Sequence, residues 1–549
     1  MDGSDGSSLL NARRSGNTVY KANTNNTTAA VSKRDDFLRR RKPITSCSVL
    51  EKDKLGAFPI TMKIKRSLVY LCLAATLSPL SGAYANRFGS DSIELPDIGT
   101  VAGSTLTIDQ ELIYGDAYMR MLRNSRPIIN DPVINEYIET LGYRLVASSD
   151  DVKTPFTFFM IRDRNINAFA FFGGYIALHS GLLLHAQSES ELASVMAHEI
   201  AHVTQRHLAR SMEEQARRSP ATIAALAGSL LLAIAAPQAG IAAITATTAG
   251  SMQSQINYTR SNEKEADRFG IATLAKAGFD VHAMPRFFGR LADEYRYAST
   301  PPPMLLTHPL PEDRITDSRA RAQQFPSVNV APSLNYHLTR SRVVARYAGI
   351  NSEAALDWFK RNQRKADPSM AAAFDYGKAL VYLDTKQYDE AESRLKTLLQ
   401  SHPDNNFYLD AMSDLLIDTE RATEAQSMLA QALQRKPNNP VLVINYANAL
   451  IKNDQFPEAI RMLQRYTHDR PNDVNGWHLL AEANSRSGNS AEDLAARAEI
   501  FALGANWNKA IQFYTQASQL APLGSLQQAR YDARLDQLMV QRDRFLALR

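Results

Sequence analysis

Apolar and polar positions fall into distinct patterns along the chain, each predicting a different element. From Ser188 onward, Leu192, Val195, Met196, Glu199 and Val203 recur at helical spacing, and Ser188 with Glu191 has the form of a capping box, so a helix beginning there is expected. Between Arg218 and Arg260 lie 41 residues without a charge, rich in Ala, Leu and Ile around Leu230 to Ala236 and from Gly240 to Ala249. Pro237 cuts that stretch into apolar pieces shorter than the roughly twenty residues a membrane span requires. Two readings stand for residues 219–259: a pair of small-residue helices beside or over a cleft, or a lid that docks on a membrane surface. From about residue 340 onward the pattern is helical and repetitive.

The repetition has a fixed period. Ala391, Ala425 and Ala459 recur every 34 residues, as do Pro403, Pro437 and Pro471, each Pro twelve positions after its Ala. A 34-residue helix-turn-helix unit with small residues at the helix contact and a closing Pro is the tetratricopeptide signature. Ala510 and Pro522 keep the offset but arrive 51 residues after their predecessors, which implies an inserted half repeat of seventeen residues, read as one extra helix containing Trp477, Leu480 and Ala481. Four repeats are expected, at about 372–405, 406–439, 440–473 and 491–524, with the tail as a cap. Such arrays build a concave groove for peptides or protein segments; the alternative is a dimerisation or stiffening module.

Composition bounds the rest. A chain of 549 residues, 44% apolar and 22% charged, is globular and long enough for two or more domains. The net charge of +5 is local: residues 1–66 hold fourteen Lys or Arg against six Asp or Glu, so the remainder is about −3, and the basicity does not point to nucleic acid. Met62, Lys63, Lys65 and Arg66 precede an apolar run from Ser67 to Leu77, and Pro79, Gly82 and Ala83-Tyr84-Ala85 follow. This predicts a secretory signal peptide at 62–85, cut before Asn86. Residues 1–61 are then either a disordered leader or no part of the translated protein, Met62 being the initiator. Cys47 and Cys72 both precede the cut, so the mature chain offers no thiolate ligand and no disulfide, and export to a bacterial periplasm is the simplest reading.

The chemistry sits at His198-Glu199-Ile200-Ala201-His202. Four residues apart on a helix, the two imidazoles lie within about 40° of each other and can grip one ion. Zinc accepts neutral imidazole, keeps a position open for water in catalytic sites and lowers that water's pKa, with Glu199 as the candidate base. Such a run arises by accident in roughly one chain in a hundred of this composition, so its surroundings must carry weight too. A third ligand is commonly a carboxylate from a later helix. Glu263 and Asp267, four apart, can serve as ligand and as acceptor of a ligand histidine's second N–H. Glu265 is the rival ligand, pointing about 160° away from Asp267.

Thr259-Arg260-Ser261-Asn262-Glu263-Lys264-Glu265-Ala266-Asp267 resembles the S-R-x-x-E-x-x-A-D signature of gluzincin peptidases, the family that includes the CAAX prenyl endopeptidase and the bacterial heat-shock protease HtpX; Thr259 replaces the usual Ser. The resemblance implies that His198, His202 and Glu263 bind one Zn2+ per chain, that Glu199 is the base and that Asp267 is a second acidic site residue. Asn167-Ala168-Phe169-Ala170 and Gly173-Gly174-Tyr175-Ile176 resemble the segment that such peptidases use as a substrate edge strand beside the metal, the alternative being an ordinary strand with a Gly-Gly turn. His308-Pro309 matches an element of exported members, where His308 binds the oxyanion, occupies zinc's open position, or does neither. The expected fold is an α+β zincin-type domain with a small mixed sheet over residues 86–340, followed by an all-α tetratricopeptide solenoid over 341–549, with a hinge around Pro326 to Pro332. For an exported protein of this combined type the resemblance implies quality control of outer-membrane barrels. The repeats would engage unfolded or stalled outer-membrane proteins, the beta-barrel assembly machinery or the lipopolysaccharide transport barrel, with at most peripheral membrane contact. The rival is a repeat scaffold or chaperone whose peptidase site is normally blocked.

Overall fold

The computed structural model describes residues 106–218, 249–296, 303–364 and 370–547. The expected leader, the signal peptide, its cleavage point and the uncharged segment as far as residue 248 lie outside the described residues.

Helix α1 (Ile108–Ser125) starts from a complete capping box between Thr107 and Gln110. It leads through β1 (Ile128–Ile129) to α2 (Pro132–Val146), which Asp131 caps with Pro132 in the first turn. The sheet continues with β2 (Thr157–Ile161), β3 (Ala168–Phe171) and β4 (Tyr175–His179) in the spatial order β1-β2-β4-β3, with β2 and β4 parallel and the other pairs antiparallel. The two-residue period of a strand sorts the side chains. Phe158, Met160, Ile176 and Leu178 point to one face and pack with α2 and the helix that carries His198 and His202, whereas Phe159, Ile161, Phe171 and Ala177 meet Tyr118, Met119 and Leu122 of α1 on the other.

After the short α3 (Ser180–His185) comes α4 (Glu189–Thr204), the predicted helix, starting one residue after its cap Ser188. The capping is one-sided. Ser188 accepts from the Glu191 backbone, but the Glu191 carboxylate takes the Gln187 N–H at 2.7 Å and pairs with Arg290 instead of closing the box. Next come α5 (His207–Arg218), α6 (Ala249–Lys276), α7 (Ala283–Tyr295), α8 (Pro303–Thr307), α9 (Glu312–Ala322) and α10 (Leu334–Arg342). Helix α6 packs along α4 at Gly270, where a Cβ would stand 3.3 Å from the His198 backbone nitrogen. Among the described residues no helix is long and apolar enough to cross a membrane.

The repeat region begins with helices Ala371–Asp384 and Tyr388–Ser401, and the pairing recurs at Asn406–Asp418 with Ala422–Arg435 and at Pro440–Lys452 with Phe456–Asp469. Val474–Arg486, Ser490–Leu503, Trp507–Leu520 and Leu526–Ala547 complete it. Ala391, Ala425, Ala459 and Ala510 are fully buried, because a larger side chain there would separate the paired helices. Inside each pair a three-residue turn places its middle residue at positive φ: Lys386, Glu420, Asp454, Gly488 and Ala505. Two such turns flank Ser490–Leu503, which is therefore second helix to Val474–Arg486 and first helix to Trp507–Leu520. That shared helix is the seventeen-residue displacement seen in the sequence.

Two expectations change. The segment from Pro326 to Pro332 is irregular, but it does not divide two bodies: the described residues on both sides of it belong to one compact unit, and a single apolar cluster runs from Ile129 and Val133 to Leu442 and Ala449. Nor is the inner face of the repeats simply an open groove. Helix α2 lies against it, with Glu136 accepting from Asn406 Nδ2 at 2.8 Å and from Asn439. Deeper in the same contact, the buried Arg342 binds Asp131 at 2.6 Å, Asp410 at 2.8 Å and the Tyr376 hydroxyl at 2.7 Å.

Candidate metal centre

Helix geometry alone brings His198 and His202 to one side of α4, and their Nε2 atoms are 3.0 Å apart. The neighbouring α6 supplies Glu263, whose carboxylate oxygens lie 3.3 Å from each of those nitrogens. His308, just beyond α8, brings Nδ1 to 3.4 Å from His198 Nε2 and 3.1 Å from Glu263. The four residues each offer one donor atom, all within 4.8 Å of one another. Bonds of about 2.0 to 2.1 Å in a tetrahedron require donor separations of about 3.3 Å, so the set fits a metal ion.

The charges around this point are arranged to keep it electron-rich. Asp267 Oδ1 lies 2.9 Å from His198 Nδ1, behind the ring. Arg314, on α9, donates Nε and Nη2 to Asp267 at 2.7 and 2.8 Å and Nη1 to Glu263 at 2.8 Å and to the Pro309 carbonyl at 2.8 Å. Burial alone would raise both carboxyls, but Arg314 and His198 hold Asp267 low, and His308, His202 and His198 hold Glu263 well below the usual carboxylate range. Burial lowers His198, yet Asp267 and Glu263 outweigh it and push the ring up to about 10. His308 is likewise raised against its burial by Glu263 and Glu199. Burial lowers His202, and with His202 and Arg210 nearby it pushes His207 down to about 2.

Glu199 differs from the other carboxylates. It is 1% exposed, yet among the described residues neither oxygen has a hydrogen-bond partner, and the charged neighbour facing it is His308 Nε2 at 3.5 Å. A buried carboxylate without a hydrogen bond, beside the donor cluster, suits a group that handles a proton of the reaction.

A cleft of about 300 Å³ opens onto His202, Glu263 and His308, with Phe169, Ala170 and Phe171 along its wall. Those wall residues belong to β3, the outermost strand of the sheet. The edge-strand expectation needs correction here: Gly173 and Gly174, at φ 76° and 75°, make the connection, and Tyr175 opens the inner strand β4. A Cβ at Gly174 would meet the Pro155 carbonyl at 1.9 Å, which is why the turn takes glycine. Two residues around the site escaped the sequence reading. Arg314 follows His308 by six positions with nothing local to mark it, and His207 is an unremarkable helix-start residue until the fold sets its Nδ1 3.0 Å from His202 Nδ1. Glu265, the rival ligand, pairs with His207 and Arg210 and faces away from the donor cluster.

Comparison with known proteins agrees with this architecture. Residues 132–322 match peptidase family M48, and 416–483 match the tetratricopeptide repeat. A relative from Vibrio cholerae is 76% identical over 483 residues, 88% of this chain and 99% of the relative. The beta-barrel assembly-enhancing protease of Escherichia coli (strain K12) is 47% identical over 487 residues, 88% of this chain and 98% of its own. More remotely, the mitochondrial metalloendopeptidase OMA1 of Danio rerio is 29% identical over 210 residues, 36% of this chain and 43% of its own. With a metallopeptidase site, a mixed sheet and a repeat array in one compact unit, the chain belongs to the beta-barrel assembly-enhancing proteases of peptidase family M48.

Proposed function

We propose that this metalloendopeptidase uses one zinc ion held by His198, His202 and Glu263, works in the periplasm, and cleaves outer-membrane β-barrel proteins that stall or misfold before assembly. The observation that carries the site assignment is the convergence of those three donors beside Glu199, whose buried oxygens make no hydrogen bond among the described residues. When bound, the metal supplies a Lewis acid for the scissile carbonyl and for water. Glu199 takes a proton from the attacking water and passes it to the leaving amine nitrogen. Asp267 holds His198 in the tautomer that presents Nε2, and Arg314 fixes Asp267 and Glu263 together.

The free edge of β3 along the cleft suits an extended segment added as a further strand, a form in which unfolded β-barrel chains are readily supplied. His308 gives the reading a second part. Its Nδ1 stands among the metal donors and its Nε2 faces Glu199, so it occupies the space a scissile carbonyl needs. The site as arranged is a resting form, and His308 leaves before substrate enters. In that resting form the repeats can still engage the assembly machinery or the lipopolysaccharide transport barrel, which supports a chaperone role beside the protease. The test is Glu199→Gln assayed on an unfolded outer-membrane barrel chain. Metal content is expected to stay at one per chain while cleavage falls about 10²- to 10⁴-fold; retained cleavage defeats the assignment.

A further inference from the structure

The two histidines of α4 are held from behind by different chemistry. His198 has a carboxylate at its outer nitrogen, Asp267 at 2.9 Å. His202 has another imidazole, the Nδ1 of His207 at 3.0 Å with the rings nearly perpendicular at 85°. His207 is itself buried, 4% exposed at its side chain, and its Nε2 is 3.2 Å from Glu265 Oε2. That same oxygen accepts from Arg210 Nη1 at 2.9 Å.

Two facing ring nitrogens bond only if one donates and the other accepts. His202 turns Nε2 toward Glu263 and His198, so that lone pair belongs to the metal and the proton sits on Nδ1. The Nδ1 of His207 must then be the acceptor, which puts its own proton on Nε2, directed at Glu265. One arrangement of protons satisfies every bond in the row.

We infer that His207 and Glu265 are positioning residues of the metal centre, fixing the tautomer and aim of His202 through a His202–His207–Glu265 relay anchored by Arg210. This deepens the proposed site and rests on His202 being a metal ligand. It also gives Glu265 a place two steps behind the ligands, with His207 between. The α4 histidines are therefore supported by different partners, a carboxylate behind His198 and an imidazole behind His202.

The experiment measures Zn2+ affinity of the full chain by competition with a fluorescent chelator. His207→Leu, which removes the acceptor, is expected to weaken binding about 10- to 100-fold, while His207→Asn, whose Oδ1 stands near the lost Nδ1, restores most of it. Glu265→Gln is expected to weaken binding by a smaller factor, and unchanged affinity there removes Glu265 from the relay. Equal losses in the Leu and Asn variants, or none in either, overturn the proposal. His202→Ala separates the two levels. If it too leaves affinity unchanged, His202 is no ligand; if it abolishes binding while His207→Leu does not, the relay alone fails.

Discussion

Two buried arginines organise two carboxylate clusters in this molecule, and only one cluster is a site. Arg342 joins α10 to α2 and the repeats through Asp131, Asp410 and Tyr376, while Tyr347 adds a hydroxyl on Asp131 at 2.8 Å and Asn445 an amide on Asp410 at 2.9 Å. Every charge there meets a partner from the chain. Arg314 likewise binds Asp267 and Glu263, but Glu263 faces three imidazoles, and Glu199 next to them makes no hydrogen bond among the described residues, with His308 Nε2 facing it at 3.5 Å. A closed cluster holds the fold together, whereas one whose lone pairs converge on a point calls for a cation. Burial and ion pairing do not tell the two apart; the convergence of donor atoms on one point does.

Breaking the closed cluster is expected to have the larger effect on stability. Arg342→Met leaves Asp131 and Asp410 buried without their cation and should cost about 3 to 5 kcal/mol in urea unfolding, with the metal site's affinity little changed. The pH dependence follows from Asp131. Burial raises its carboxyl, but Arg342, Tyr347 and Arg346 bring it below the ordinary 3.8, so its contribution is present above that value and is lost as acid takes the pH down through the folded pKa. Arg342→Met should flatten that acid limb.

The open cluster responds to metal instead. Chelation should lower stability by about 4 kcal/mol relative to protein with free metal at a thousand times Kd, and the same shift should appear in Arg342→Met. A midpoint indifferent to chelator would show that the donors already satisfy one another. The smallest effect is expected from His308→Ala. If His308 covers the site, peptide cleavage rises about tenfold because the competing resting form is removed. A fall would instead place His308 on the oxyanion.

Local pattern carried far into this fold. The spacing of His198 and His202, the cap at Ser188, the four-residue offset of Glu263 and Asp267 and the 34-residue period are properties of single elements, and the structure places each in its element. What stayed hidden depends on contacts between elements. Arg314 and His207 have no neighbours in sequence that mark them, and no period announces that α2 lies against the inner face of the repeats. The segment expected as the edge strand spans two strands, because Ala168–Phe171 and Tyr175–His179 are both short apolar runs and only the pairing order makes the first of them the edge.

The seating of α2 also has a consequence for synthesis. Glu136 must wait 270 positions for Asn406, and Asp131 waits 211 for Arg342. Helix α2 packs under α4 in the same apolar cluster, so the footing of the hydrolytic centre is incomplete while only the amino-terminal half of the chain has emerged. A protease built in this order gains its full stability only when its repeats have been made.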